Sequence, residues 1–315
     1  MRIVPMLATA TVVVAAVVDV FPQERFSFFY PSTPASVERM LKLAELRDDD
    51  VVIDLGSGDG LIPLTAARMN PRLRGRGVDI DPKLVDESNQ RARDTGVADR
   101  VRFEHRNAFD ADLREATVVT MWLFPELMRL LRPVILERAR PGTRVITSTW
   151  DLGGWKPDKM LGEEPQVYLW IVPARVEGGW DWDLTVSGKQ IPYGVVLEQH
   201  FQQIEGSGRA GDRREELMSA TLRGADIAFT LNITLDGLGL TKHEFSGKVE
   251  SDRDDGGNRG NRADRIVGTA RVTPSQGETF TLPWRAQRSA EPRYFAPTGT
   301  ALFERQPQLQ VPQDR

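Results

Sequence analysis

The chain has no cysteine in its 315 residues, which removes disulfides, thiolate zinc sites and cysteine nucleophiles from consideration. Histidine is almost as scarce. His105, His200 and His243 are the three present, and no two stand at a metal-ligand spacing such as H-E-x-x-H. Each therefore reads as an ordinary surface or hydrogen-bonded histidine, and no metal site is expected. An excess of positive charge is also missing. With 41 basic against 45 acidic residues the net charge is -4, so the chain lacks the broad cationic surface of proteins that hold nucleic acid by counterion release. A local basic patch is still compatible with that balance, but no nucleic-acid partner is expected. Long uncharged apolar sequence occurs in one place, Ile3 to Val18, preceded by Arg2 and closed by Asp19 and Pro22. Its length lies between a signal-peptide core and the roughly 20 residues of a full membrane span. No small-x-small cleavage site ends it, because Ala15 and Ala16 run into Val-Val-Asp. Residues 1–22 are accordingly expected to be an apolar anchor or an export signal, associating the protein with a membrane. A run this uniform has no polar face to show water.

From Pro34 to about Thr149 the periodicity alternates between helix and strand, the pattern of a mostly parallel sheet with helices on both faces. Val37, Met40, Leu41, Leu43 and Ala44 fall at helical spacing behind Pro34, a residue suited to a first helical turn. Five strand-like segments follow in a βαβ grammar: "VVIDL", "GRGVDID", "RVRFEHR", "ATVVTMWLF" and "TRVITSTW". That is a doubly wound α/β fold. After Trp155 the grammar changes. "QVYLWIVPARVEGGWDWDLTV" reads as two strands about a Glu-Gly-Gly turn. Ile227, Phe229, Leu231, Ile233 and Leu235 alternate with smaller or polar residues, the mark of a half-buried antiparallel strand. The expected organisation is an anchor or signal at 1–22, an α/β domain at 27–165, an antiparallel β domain at 175–305 and a disordered tail at 306–315. The polar Gly-rich stretch "RDDGGNRGNRAD" is expected to be a mobile loop within the β domain.

Chemistry concentrates at the end of the first strand. Asp54 is followed by Gly56, Ser57, Gly58, Asp59 and Gly60, and then by a helix, which places bare backbone beneath a ligand lying across the carboxyl ends of the strands. A dinucleotide fingerprint would need glycine where Leu61 stands, and a phosphate loop would need Gly-Lys-Ser/Thr, which is absent. What stands there is D-x-G-x-G-x-G.

This motif resembles motif I of the class I S-adenosylmethionine-dependent methyltransferases, and downstream residues fall where that family places its markers. The resemblance implies S-adenosyl-L-methionine as cofactor. It implies that Asp79, ending "GVDID" with Ile80 beside it, accepts the ribose hydroxyls, since one carboxylate can serve two donors. Asn107, with Ala108 next to it, takes the place beside the adenine amino group, where many members carry Asp. Asp54 faces the methionine amino group, and the Gly56–Gly60 backbone takes the methionine end. A closer resemblance runs through "YPSTPASVERML", "DLGSGDG" and "EATVVTMWLFPELMRLLRP", over about residues 27 to 160. It is to the protein-lysine methyltransferases that modify the ATP synthase c subunit, and more distantly to seven-strand histone-lysine methyltransferases. Two segments depart from that pattern: "YPSTP" and the fifth-strand exit "STWDLGGW".

By this resemblance the reaction is an in-line methyl transfer to a lysine amine of a protein acceptor. Alignment and a deprotonated nucleophile are the protein's main tasks. An apolar aromatic rim would lower the amine pKa by disfavouring its charged form. Tyr30, Trp122, Phe124 and Trp150 are the candidates for that rim, with core packing the competing reading for Trp122 and Phe124. Thr33 and Glu126 are candidates for closing the pocket or orienting the methionine end. Two alternatives stand beside this reading. One is a small-molecule methyltransferase whose β domain shapes the pocket; the other is a binding protein that keeps the fold and recognises its partner through the β domain. Because S-adenosylmethionine is made in the cytoplasm, the catalytic domain is expected there, with export as the alternative location.

Overall fold

The computed structural model describes residues 30–162, 165–250 and 263–289. The apolar segment 1–22, residues 253–262 of the Gly-rich stretch and the tail 306–315 lie outside the described residues. Among the described residues no helix is long and apolar enough to cross a membrane.

Four helices and seven strands form the first part of the chain. In order they are α1 (Pro34–Ala44), β1 (Val51–Leu55), α2 (Leu61–Met69), β2 (Arg74–Asp79), α3 (Pro82–Asp94), β3 (Val101–His105), β4 (Val118–Met121), α4 (Pro125–Arg138), β5 (Arg144–Ser148), β6 (Lys159–Leu161) and β7 (Val167–Ile171). The sheet order is β3-β2-β1-β4-β5-β7-β6. The pairings of β1 to β5 are parallel, while β7 runs antiparallel to both β5 and β6.

Alternation along the strands decides which side each residue serves. Val52, Val118 and Ile146 pack beneath α1, α2 and α3. Val51, Ile53, Val119 and Val145 pack on the opposite face against Met128, Leu131 and Ile135 of α4. Thr33 caps α1 by accepting a hydrogen bond from the Ser36 amide, and Asp81 caps α3 by accepting one from Lys83. Arg144, at the start of β5, forms a buried ion pair with Asp50, which also accepts a 2.6 Å hydrogen bond from the Thr117 hydroxyl. These contacts fix the relative placement of β1, β4 and β5.

The rest of the chain forms a nine-stranded antiparallel sheet: β8 (Gly178–Val186), β9 (Lys189–His200), β10 (Gln203–Ala210), β11 (Arg213–Glu216), β12 (Met218–Arg223), β13 (Asp226–Leu235), β14 (Gly239–Glu250), β15 (Arg265–Pro274) and β16 (Phe280–Arg288). Its order is β11-β10-β9-β8-β16-β15-β14-β13-β12, a meander in which the last strand returns to the first. A hydrogen bond from the Leu217 amide to the Gly206 carbonyl extends the pairing of β10 with β11. Ile227, Phe229, Leu231, Ile233 and Leu235 are all buried, as their alternation predicts.

One expected hairpin does not form. Val167–Ile171 is a strand of the first sheet, beyond the boundary expected at residue 165, and Gly178–Val186 belongs to the second. The apolar run of β7 is buried on both faces, as an interior strand requires. Behind it the chain crosses between sheets: the Val172 amide bonds the Thr143 carbonyl and the Ala174 amide bonds the Gly224 carbonyl. The two parts also meet where Phe201, in the β9–β10 turn, stacks on Trp155 at 5.9 Å, with the Arg132 guanidinium 5.2 Å from its ring centroid.

Candidate active site

The strand order reverses between β1 and β4, and a cleft of about 760 Å³ opens there at the carboxyl ends of the strands. Every residue lining it lies between Tyr30 and Pro165. Among the described residues the second sheet therefore contributes nothing to the cleft wall, against the idea that it shapes the pocket.

The loop after β1 turns through Gly56, Gly58 and Gly60, each with positive φ. At Gly56 the positive φ requires glycine, and a Cβ there would also press on Leu123 Cδ2 at 2.5 Å. The third glycine corrects an expectation. Gly60 does not line the cleft; it precedes α2, and a Cβ on it would stand 2.7 Å from the Phe103 ring and 2.9 Å from Ser88 Oγ. Its job is helix-to-sheet packing. Asp59 lines the cleft, but its carboxylate already accepts from Arg91 Nη1 at 2.8 Å and from the Leu61 amide at 3.3 Å.

Asp54 ends β1 almost wholly inside the protein, with 1 % exposure. The Thr120 hydroxyl donates to its Oδ1 at 2.7 Å. Burial, reinforced by the neighbouring Asp79 and Asp59 carboxylates, outweighs that hydrogen bond and pushes the Asp54 carboxyl up to about 7. Such a group gains from a cationic ligand. Asp79 ends β2, and its two oxygens accept from the Gly58 amide at 2.7 Å and the Asp81 amide at 2.9 Å. Each oxygen keeps a further lone pair for a hydroxyl. Asn107 follows β3, and its Oδ1 accepts from the Phe109 amide at 3.0 Å, so this oxygen is shared between a turn and any ligand. Ile80, Ala108, Leu84 and Phe109 supply the apolar surface beside these groups.

The far side of the cleft carries the expected aromatic residues. Trp122 is half-buried, Tyr30 is 76 % exposed, and Phe124 (44 % exposed) stacks on Trp150 (37 % exposed) with ring centroids 6.0 Å apart and an interplanar angle of 27°. All four line the cleft, so Trp122 and Phe124 are not simply core residues. Thr33 also lines it while its hydroxyl serves α1. Glu126 does not; it sits exposed in the first turn of α4. Lining residues without a sequence signal include Asp81, Leu84, Phe109 and Thr149, because a loop or helix residue touching the cleft follows from chain path and not from any local pattern.

The lining contains four carboxylates, those of Asp54, Asp59, Asp79 and Asp81, and no Lys, Arg or His. A phosphate-bearing cofactor would meet a lining whose charged groups are all acidic. S-adenosylmethionine suits the cleft: its ammonium matches Asp54, its ribose hydroxyls match Asp79, and its adenine matches the Ile80–Leu84–Phe109 surface. A further polar atom is available in the glycine loop, where buried Ser57 Oγ has no hydrogen-bond partner among the described residues. Among the described residues no cluster of His, Asp and Glu is arranged to hold a metal.

Comparison with known proteins agrees. The family described as ANTKMT methyltransferase domain matches residues 54–159. A protein-lysine N-methyltransferase of Saccharolobus islandicus is 34% identical over 149 residues, covering 46% of this chain and 92% of that protein. An adenine nucleotide translocase lysine N-methyltransferase of Mus musculus is 31% identical over 162 residues, covering 51% of this chain and 67% of that one. A solved RNA methyltransferase of Salinibacter ruber in complex with S-adenosyl-L-homocysteine shares 42% identity, covering 47% of this chain and 96% of that one at a TM-score of 0.45. On the D-x-G-x-G-x-G turn, the acidic cleft it builds and the two lysine N-methyltransferase relatives, the chain belongs to the class I S-adenosylmethionine-dependent methyltransferases, in the protein-lysine N-methyltransferase family.

Proposed function

We propose that the methyl acceptor is the side-chain amine of a lysine in a protein. The observation that carries this reading is the stacked Phe124–Trp150 pair at the mouth of a cleft whose charged lining groups are all carboxylates. The carboxylates draw in a cation, while the aromatic faces accept an alkylammonium and exclude the water that would keep it charged. When bound, the cofactor supplies a methyl group on a positively charged sulfur, which departs as a neutral thioether. The chain's own residues do the rest. Asp54 and Asp79 hold the cofactor over β1 and β2, which leaves the ends of β4 and β5, where Trp122, Phe124 and Trp150 stand, for the acceptor. A desolvated amine loses its proton to water before it reacts, and no dedicated base is required. The relatives' names, which specify protein lysines, support the same substrate class.

Alanine at Phe124 or Trp150 is expected to lower kcat/KM for a protein acceptor by about tenfold or more. Calorimetric affinity for S-adenosylhomocysteine should change by less than about threefold, because the rings follow β4 and β5 while the cofactor's anchoring carboxylates end β1 and β2. Equal loss of both quantities would contradict an acceptor role for this pair.

We further propose that residues 1–22 tether the enzyme to a membrane, with its cleft on the cytoplasmic side where the methyl donor is made. The uncharged run from Ile3 to Val18 supports this. The full chain should sediment with membranes and a chain starting at Gln23 should not; identical partitioning would refute the tether.

A further inference from the structure

β5 runs into the cleft through Thr147, Ser148, Thr149 and Trp150. At Thr149 the backbone takes φ 74°, the left-handed region. Glu45, Ser187, Phe201 and Ser219 are the other non-glycine residues with positive φ among the described ones, and Thr149 is the only β-branched residue in this set. A branched Cβ makes this conformation costly, and glycine would adopt it freely. Threonine is thus a poor choice for making the turn. The turn itself is secured without the side chain: the Thr149 amide bonds the Gln166 carbonyl at 2.8 Å, and the Thr147 hydroxyl donates to the Trp150 carbonyl at 2.6 Å. None of the hydrogen bonds among the described residues uses the Thr149 hydroxyl, and the residue lines the cleft next to Trp150. Costly backbone and a free hydroxyl coincide at the acceptor side of a catalytic cleft, where strain is characteristically stored.

We propose that Thr149 is a catalytic residue that binds the acceptor amine: its Oγ accepts a hydrogen bond from the amine N–H and so directs the nitrogen lone pair toward the methyl group. The assignment rests on the lysine-acceptor reading above. The side chain can serve this purpose because β5 lies two strands from Asp54 across β4, at a spacing of about 5 Å per strand. That separation puts Thr149 beyond the groups assigned to the cofactor, on the side that holds Phe124 and Trp150. The hydroxyl would place a hydrogen-bond acceptor beside the aromatic acceptor wall, and a single well-placed acceptor is enough to set an amine's orientation.

Three substitutions separate this role from a backbone role. Thr149→Ser keeps the hydroxyl, Thr149→Ala keeps the strained turn without it, and Thr149→Gly relieves the strain and also lacks it. The probe is n-butylamine, a mimic of the lysine side chain, titrated into protein saturated with S-adenosylhomocysteine and followed by tryptophan fluorescence; methyl transfer to poly-L-lysine is measured in parallel. Binding and transfer should stay within about threefold of wild type in Thr149→Ser and fall about tenfold or more in both Thr149→Ala and Thr149→Gly. Affinity for S-adenosylhomocysteine should be unchanged in all three, and Thr149→Gly should melt no lower than Thr149→Ala. Wild-type behaviour in Thr149→Gly would overturn the proposal, as would failure of the wild type to bind the amine. If the amine binds with the expected ranking while poly-L-lysine and cellular protein are never methylated, the lysine-acceptor reading fails and the amine site at Thr149 stands.

Discussion

Asparagine in place of Asp54 is expected to weaken S-adenosylmethionine binding about a hundredfold or more while making the empty protein more stable above pH 7. The two effects have one cause. Asp54 is buried, and burial raises its carboxyl from 3.8 to about 7. Between about pH 4 and 7 the native state therefore holds a proton that the unfolded chain has released. A group whose folded value is raised contributes stability at low pH that is lost as pH rises through the folded value, here about 7. Ionisation above pH 7 thus costs the empty fold up to about 4 kcal/mol. An asparagine carries no charge and can still accept from Thr120, but its amide donors are left without partners at a cost of about 1–3 kcal/mol. The net expectation is a gain of about 1–3 kcal/mol at pH 8, a rise of a few degrees in Tm, and loss of the downward slope of stability between pH 4 and 7. Cofactor affinity in the wild type should weaken about tenfold per pH unit below 7, because the ammonium needs the ionised carboxylate. Calorimetry and thermal melts across pH 5 to 8 measure both. A variant that binds as tightly as wild type, or melts lower at pH 8, would refute the assignment.

Asp79→Ala is expected to cost about a hundredfold or more in affinity for both S-adenosylmethionine and S-adenosylhomocysteine. Its carboxylate does two jobs. It holds the Gly58 and Asp81 amides, at 2.7 and 2.9 Å, and so shapes the glycine loop and the start of α3 before any ligand arrives. Its remaining lone pairs then meet the ribose. Charge-assisted hydrogen bonds of this kind contribute about 1.5–3 kcal/mol each, and alanine removes them together. The ribose is the same in both molecules, so both ligands should suffer alike. A change confined to S-adenosylmethionine would contradict a ribose role.

Most of this site can be read from the sequence because its parts are local. A strand ending in Asp54, a run of glycines and a second strand ending in Asp79 announce themselves at short range, and the doubly wound sheet brings their ends together. The function of Gly60 was not legible, since nothing local tells a glycine that admits a ligand from one that admits Phe103. Neither was the engagement of Asn107 Oδ1 by the Phe109 amide, which depends on turn geometry. β7 was misplaced for a similar reason: a short apolar run before Gly-Gly looks like half of a hairpin, and only the pairing of Val167–Ile171 with β5 puts it in the first sheet. Thr149 was invisible because "ITSTWD" reads as a strand end, and strain resides in a dihedral angle that composition does not encode.

The most direct test of the account is to follow the methyl group. The full chain would be incubated with methyl-tritiated S-adenosylmethionine and cellular protein including the membrane fraction, and the labelled protein hydrolysed to amino acids. The account predicts that tritium co-elutes with methylated lysine and that Asp79→Ala abolishes it. Label recovered in another amino acid or only in small molecules, or no label from a protein that binds the cofactor, would contradict it.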